Sequence, residues 1–150
     1  MFMAGPAISL AYRAAMALIL RHASDLGRQT ANWSIPSHSH TDLHEMVLVA
    51  DGRVDMDIRG QSLSTRTGWV KFHPAGVVHA ERAAGGKGPH LLILSWQGGD
   101  TAAWPLHRPD PQGRIATLLR WLIELCQRPA GPTRGSAFAA VLAAYAEPLP

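Results

Sequence analysis

Residues 45–58 read Glu45-Met46-Val47-Leu48-Val49-Ala50-Asp51-Gly52-Arg53-Val54-Asp55-Met56-Asp57-Ile58. Glu45 to Ala50, rich in Val, Met and Leu, has the make-up of a buried strand. Asp51-Gly52 is a two-residue hairpin signal, because such a turn wants positive φ at both positions. The next run alternates without a fault: Val54, Met56 and Ile58 face a core, and Asp55 and Asp57 form a solvated face.

Reading outward, the pattern repeats. Upstream, the texture changes after Gly27, and Trp33, Ile35 and Pro36 lead into Ser37-His38-Ser39-His40. Downstream, Arg59-Gly60 turns the chain and Leu63 anchors a short strand. Gly68 opens the alternating run Trp69-Val70-Lys71-Phe72, which Pro74-Ala75-Gly76 breaks before Val77 to Ala80. Gly85, Gly86 and Gly88 read as a flexible loop, and Leu91 to Trp96 is the last strand. Short strands separated by turn signals mean a sandwich or barrel, so Trp33 to Trp96 is expected to form a small antiparallel β-barrel.

From Asp110 the period lengthens to about 3.6. Asp110 can cap a helix and Pro111 suits its first turn. Ile115, Leu118, Leu119, Leu122, Leu125 and Cys126 share one face, which Trp121 and Ile123 widen. That width suggests an interface in addition to intrachain packing. Pro129 to Gly135 reads as a linker, with Ser136 capping a second helix through Tyr145. Helices are thus expected over 111–127 and 136–146, and the organisation is a barrel over 1–108 with a helical dimerisation appendage over 109–150 packed on it. Met1 to Pro6 reads as a frayed start. Residues 7–22 stay open between a helix and, over Ala17 to Arg21, a first strand.

Composition sets the outer limits. With 150 residues, 47% hydrophobic and 17% charged, the chain is globular and long enough to bury a core. The lone Cys126 excludes an intrachain disulfide and a cysteine-based zinc knot; it reads as a small core residue. The net charge is +3, and its arginines are scattered, so charge gives no sign of nucleic-acid binding. No stretch is long enough to span a bilayer and no secretory signal is recognisable, so a cytoplasmic protein is expected.

Four residues carry the chemistry: His38, His40, Glu45 and His79. His38 and His40 are two apart, so on a strand they point to one face. A bend over Thr41 to His44 brings Glu45 back over that face, and His79 follows the Pro74-Ala75-Gly76 turn. Three imidazoles and a carboxylate suit a divalent transition metal (Zn, Ni, Fe or Mn). His44 ranks below them as a ligand. His73 is expected on the side opposite the core residues, and His22, His90 and His107 at the surface. Trp33, Trp69 and Trp96 are expected to pack in the core or at the barrel mouth.

These residues carry a resemblance. His38-x-His40-x4-Glu45-x6-Gly52 resembles the first cupin motif, and Gly68-x5-Pro74-x-Gly76-x2-His79 the second. Ala83 stands where the second motif commonly has Asn. The resemblance implies an all-β double-stranded β-helix, a jelly-roll barrel, followed by a C-terminal α-helical pair, with the four residues at the family's metal positions. A cupin followed by proline-bounded helices, the first entered through Asp110-Pro111-Gln112-Gly113-Arg114, also resembles the N-terminal sensing and dimerisation half of AraC-type transcription regulators. This implies a small-molecule effector, a homodimer, and DNA binding by a separate C-terminal domain, with none by this chain alone.

Three functions follow: an effector-sensing module with or without metal, a stand-alone metal-dependent cupin enzyme (dioxygenase or isomerase), and a metal-free interaction or storage module. Against the enzyme, no second acid or base stands out near the four residues.

Overall fold

A computed structural model describes residues 18–150. Nine strands and two helices are present among them: β1 (Ile19–Arg28), β2 (Ser34–His38), β3 (His44–Asp51), β4 (Arg53–Ile58), β5 (Gln61–Arg66), β6 (Trp69–His73), β7 (His79–Ala83), β8 (His90–Gln97), β9 (His107–Pro109), α1 (Arg114–Cys126) and α2 (Pro132–Ala146). The strand alternative therefore holds from Ile19 onward. The part of that question on residues 7–17 lies outside the described residues, as does the start at Met1 to Pro6.

The strands form two antiparallel sheets, ordered β1-β8-β3-β6-β9 and β2-β7-β4-β5. Together they make the double-stranded β-helix that the two motifs imply, followed by the helical pair. Val47, Val49 and Leu91 of the first sheet meet Val54 of the second in a small interior cluster, with Trp33 and Ile93 packed against it.

The Asp51-Gly52 turn differs from expectation. It is not a hairpin: β3 pairs with β6 and β8, whereas β4 pairs with β5 and β7. The chain changes sheets there. Only Gly52 has positive φ (96°), and a Cβ on it would stand 3.0 Å from Pro89 Cα. Its N–H donates to Thr67 Oγ1 at 2.9 Å. The tight hairpin is Arg59-Gly60, where both residues have positive φ (50° and 72°) and Ile58 pairs with Gln61, as a type I′ turn requires.

The helices cover the outer face of the five-stranded sheet. Met46 and Leu48 of β3, Val70 and Phe72 of β6, and Leu92, Leu94 and Trp96 of β8 share one core with Ile115, Leu119 and Leu122 of α1 and Phe138, Val141 and Tyr145 of α2. This is the larger of two apolar clusters among the described residues, and it lies outside the barrel, not within it. Ile123 is buried in it, so of the two residues that widened the α1 face only Trp121 remains exposed. Cys126 packs half-buried against the same core.

The helix starts also shift. α1 begins at Arg114, and Asp110 caps it from outside, accepting from the N–H groups of Ile115 (3.2 Å) and Ala116 (2.9 Å). α2 begins within the expected linker, at Pro132, because proline suits a first helical position. Ser136 is therefore inside the helix and its hydroxyl bonds back to the Pro132 carbonyl at 3.5 Å. At the far end, buried Arg108 of β9 donates to the carbonyls of Tyr145 (2.8 Å) and Glu147 (2.5 Å). It satisfies acceptors that every helix C-terminus leaves open.

Candidate metal centre

His38 ends β2, His40 lies just beyond it, Glu45 is the second residue of β3, and His79 opens β7. Strand pairing brings them together. His38 is the cross-strand partner of His79, with ring centroids 4.3 Å apart. The His40 ring lies 4.9 Å from that of His38. His40 Nε2 is 3.1 Å from Glu45 Oε1, and His79 Nε2 is 4.0 Å from the same oxygen. One ligand atom from each of the four falls within 4.8 Å of every other. The expected quartet is thus assembled by the fold, with His79 buried and His40 a third exposed at the mouth.

The donor chemistry fits a metal. His79 Nδ1 lies 3.1 Å from the Val77 carbonyl and donates to it. Its Nε2 then carries the lone pair, and this buried atom has no hydrogen-bond partner among the described residues. Leaving such a group unpaired costs roughly 1–3 kcal/mol; a metal ion removes that cost. His38 repeats the arrangement, with Nδ1 2.9 Å from the Pro36 carbonyl. Anchoring one ring nitrogen so that the other faces the ion is how proteins orient histidine ligands. Burial, helped by the charge of His73, pushes His79 down to about 4. It is therefore neutral at pH 7, as a ligand must be. Burial works to raise the Glu45 carboxyl, but His73, His40 and His79 outweigh it and hold it below its ordinary value.

The sequence did not reveal what stands behind this quartet. Lys71, His73 and Glu81 form a buried polar cluster. Lys71 Nζ donates to Glu81 Oε1 at 2.5 Å and lies 3.2 Å from His73 Nε2. His73 Nε2 is 2.7 Å from Glu81 Oε1, and its Nδ1 is 3.4 Å from Glu45 Oε1. Burial opposes ionisation of Glu81, yet the charges of Lys71 and His73 hold its pKa well below the ordinary carboxylate range.

His73 does lie opposite Val70 and Phe72, as alternation requires. That side is the barrel interior and not solvent, because the helices bury the other face. The expectation that no acid or base accompanies the quartet is corrected by these three residues. The available signal was the apolar stripe of the C-terminal helices, which needs a sheet face to cover.

His44 is on the wrong face for a ligand. Its ring packs 5.8 Å from Phe72 and 5.4 Å from Trp96, its Nδ1 accepts from the Ala75 N–H at 2.9 Å, and burial lowers its pKa. His22 and His90 pair with Ser24 and Asp25, and the His107 ring lies tilted against Trp69, 5.1 Å between centroids. Trp96 is fully buried, and Trp69 sits under Arg66, 4.9 Å from its guanidinium.

Strand order, sheet pairing and the quartet's position at one end agree on the architecture. The described residues have a cupin-type fold. Several solved structures similar to it are cupins. A predicted oxalate decarboxylase from Thermotoga maritima is 18% identical, over 52% of this chain and 67% of that one, with a TM-score of 0.48. An RmlC-like cupin from Shewanella frigidimarina is 18% identical, over 55% and 68%, with a TM-score of 0.43. KdgF from a Halomonas species is 15% identical, over 49% and 64%, with a TM-score of 0.42; the match thus spans less than two thirds of that protein. No protein-family profile and no curated protein matches the sequence.

Proposed function

We propose that this chain is the small-molecule-sensing and dimerisation module of an AraC-type transcription regulator, with one divalent transition metal, Zn, Ni, Fe or Mn, in its effector site. His38, His40, Glu45 and His79 would hold the ion, which when bound supplies an electrophilic anchor for a donor atom of the effector. The observation that carries the sensing part is the double use of β3. Glu45 faces the site, and the next residue, Met46, lies in the core shared with both helices. Strand β6 repeats this with His73 and Phe72. An effector that binds one position of these strands better than another shifts the helices with them. Two copies would pair through α1, whose Trp121 is 44% exposed, and DNA would be read by a domain outside this chain. No helix among the described residues is long and apolar enough to cross a membrane, which is compatible with work in the cytoplasm.

Hydrogen exchange with and without zinc tests this reading. Zinc binding should change protection in residues 114–126 and 132–146, not only around the ligands. Zinc bound at the quartet with both helices unaffected would remove the basis for a sensor.

A second reading, a stand-alone metal-dependent cupin enzyme such as a dioxygenase or isomerase, is favoured by one observation: Lys71, His73 and Glu81 place acid and base groups against Glu45. Metal-dependent turnover that His40→Ala abolishes in folded protein would place it above the sensor.

A further inference from the structure

The barrel interior contains a second ligand set. His73, His79 and Glu81, all buried, also bring one ligand atom each within 4.8 Å of the others. The rings of His73 and His79 lie 4.1 Å apart with an interplanar angle of 31°. His79 Nε2, buried and without a hydrogen-bond partner among the described residues, belongs to this set as much as to the outer one. Two imidazoles and a carboxylate, closed off from water, make a three-ligand site for a borderline-soft divalent ion such as zinc. One obstacle stands in it. The Lys71 side chain is fully buried, and its ammonium lies 2.5 Å from Glu81 Oε1 and 3.2 Å from His73 Nε2. Both atoms belong to residues of this ligand set.

We propose that Lys71 occupies the cation position of a second, inner metal site formed by His73, His79 and Glu81, and thereby confines a divalent ion to the outer position at His38, His40, Glu45 and His79. The ammonium neutralises Glu81, so the inner set offers a divalent ion no net negative charge. With a neutral side chain at position 71, Glu81 is left facing two imidazoles, and the inner set becomes attractive to the ion. Because both positions use His79 Nε2, a single lone pair, the barrel holds one ion in either place and not two. The inference rests on the metal reading only for the outer position; the inner one stands on its own three residues.

Zinc affinity, measured on the full chain by competition with a chromophoric chelator, tests this with zinc alone as probe. His38→Ala/His40→Ala dismantles the outer set and should weaken zinc binding at least 100-fold. Adding Lys71→Met should restore at least tenfold, and adding Glu81→Gln to that should remove the gain. Lys71→Gln supplies a second neutral side chain, so that a folding defect peculiar to Met does not decide the matter. Folding of each variant is read by circular dichroism. Folded triple variants that bind zinc no better than His38→Ala/His40→Ala would overturn the proposal, as would a gain that survives Glu81→Gln. Wild type that binds no zinc would sink the outer site, and the Lys71 variants would still report on the inner one.

Discussion

His73 and Glu45 stand directly opposite each other on β6 and β3, and His73 Nδ1 reaches to 3.4 Å from the Glu45 carboxylate while its Nε2 contacts Glu81. A side chain that the sequence assigns no site role thus sits between a candidate metal ligand and a buried ion pair. Groups hydrogen-bonded to ligands commonly contribute about 10–100-fold to metal affinity. His73→Phe should therefore lower zinc affinity by roughly tenfold or more while stoichiometry stays at one ion per chain. His44→Phe is the control. His44 lies on the helix-covered face, so its loss should cost about 1 kcal/mol of stability through one hydrogen bond and leave affinity unchanged. Equal affinity losses in the two variants would show that His73 acts only through packing.

The quartet itself predicts the metal content of the purified protein. Mass spectrometry should find near-stoichiometric transition metal in the wild type and negligible metal in His38→Ala/His79→Ala. Stripping the metal should lower stability. Zinc restored at 100 times its dissociation constant adds about 2.7 kcal/mol, seen as a rise in Tm. Wild type that shows neither bound metal nor a zinc-dependent Tm would leave an apo effector pocket as the use of this mouth.

The β-strands were legible because their alternation and turns are local. Val54 to Ile58 reads correctly, and the closeness of His38, His40, Glu45 and His79 was legible because two motifs fix their spacing. What was not legible depended on which elements cover which face. Lys71 and His73 alternate with Val70 and Phe72, the pattern of a half-exposed strand. Only the docking of α1 and α2 turns the apolar side into a core and leaves the polar side as the barrel lining. Asp51-Gly52 has the composition of a hairpin, yet a turn residue cannot say whether the next strand pairs with the last or crosses to another sheet. β9 was missed because three residues carry no period, and its register is set by pairing with β6.

Gly88 provides a sharper test of how the first strand is held. A Cβ at this position would lie 1.8 Å from the Gln29 carbonyl oxygen, where the backbone closes on itself through the Gln29 N–H to Pro89 carbonyl bond at 2.8 Å. Arg28 also donates to the Gly88 carbonyl at 2.6 Å. The residue therefore marks a close approach of two backbones and not merely a flexible loop. Gly88→Ala should destabilise by about 3 kcal/mol or more, at the upper end of overpacking costs. Gly86→Ala, at positive φ but with no described residue near its Cβ position, should cost only about 1–2 kcal/mol. Urea midpoints of the two variants check this, and equal losses would mean that the contact with Gln29 relaxes at little cost.

Tyr145 gives the fold a pH dependence that is independent of the metal. Its hydroxyl donates to the Pro105 carbonyl at 2.6 Å, and its ring packs among Phe72 and Trp104. Burial raises the phenol well above its ordinary 10.0, despite the nearby Arg108 cation. The unfolded chain releases this proton near pH 10, whereas the folded chain keeps it. Above that pH the folded state binds one more proton than the unfolded state, so stability falls as pH rises, by about 1.4 kcal/mol per unit from this group. Below pH 10 the contribution is fully present. Tyr145→Phe should lose about 1 kcal/mol at pH 8, for the missing hydrogen bond. Its stability should then fall less steeply than wild type between pH 10 and 11, so that the two urea midpoints converge. Curves that stay parallel through this range would mean that the phenol ionises in the folded state, and that the contact between α2 and the Pro105 carbonyl opens to water without unfolding.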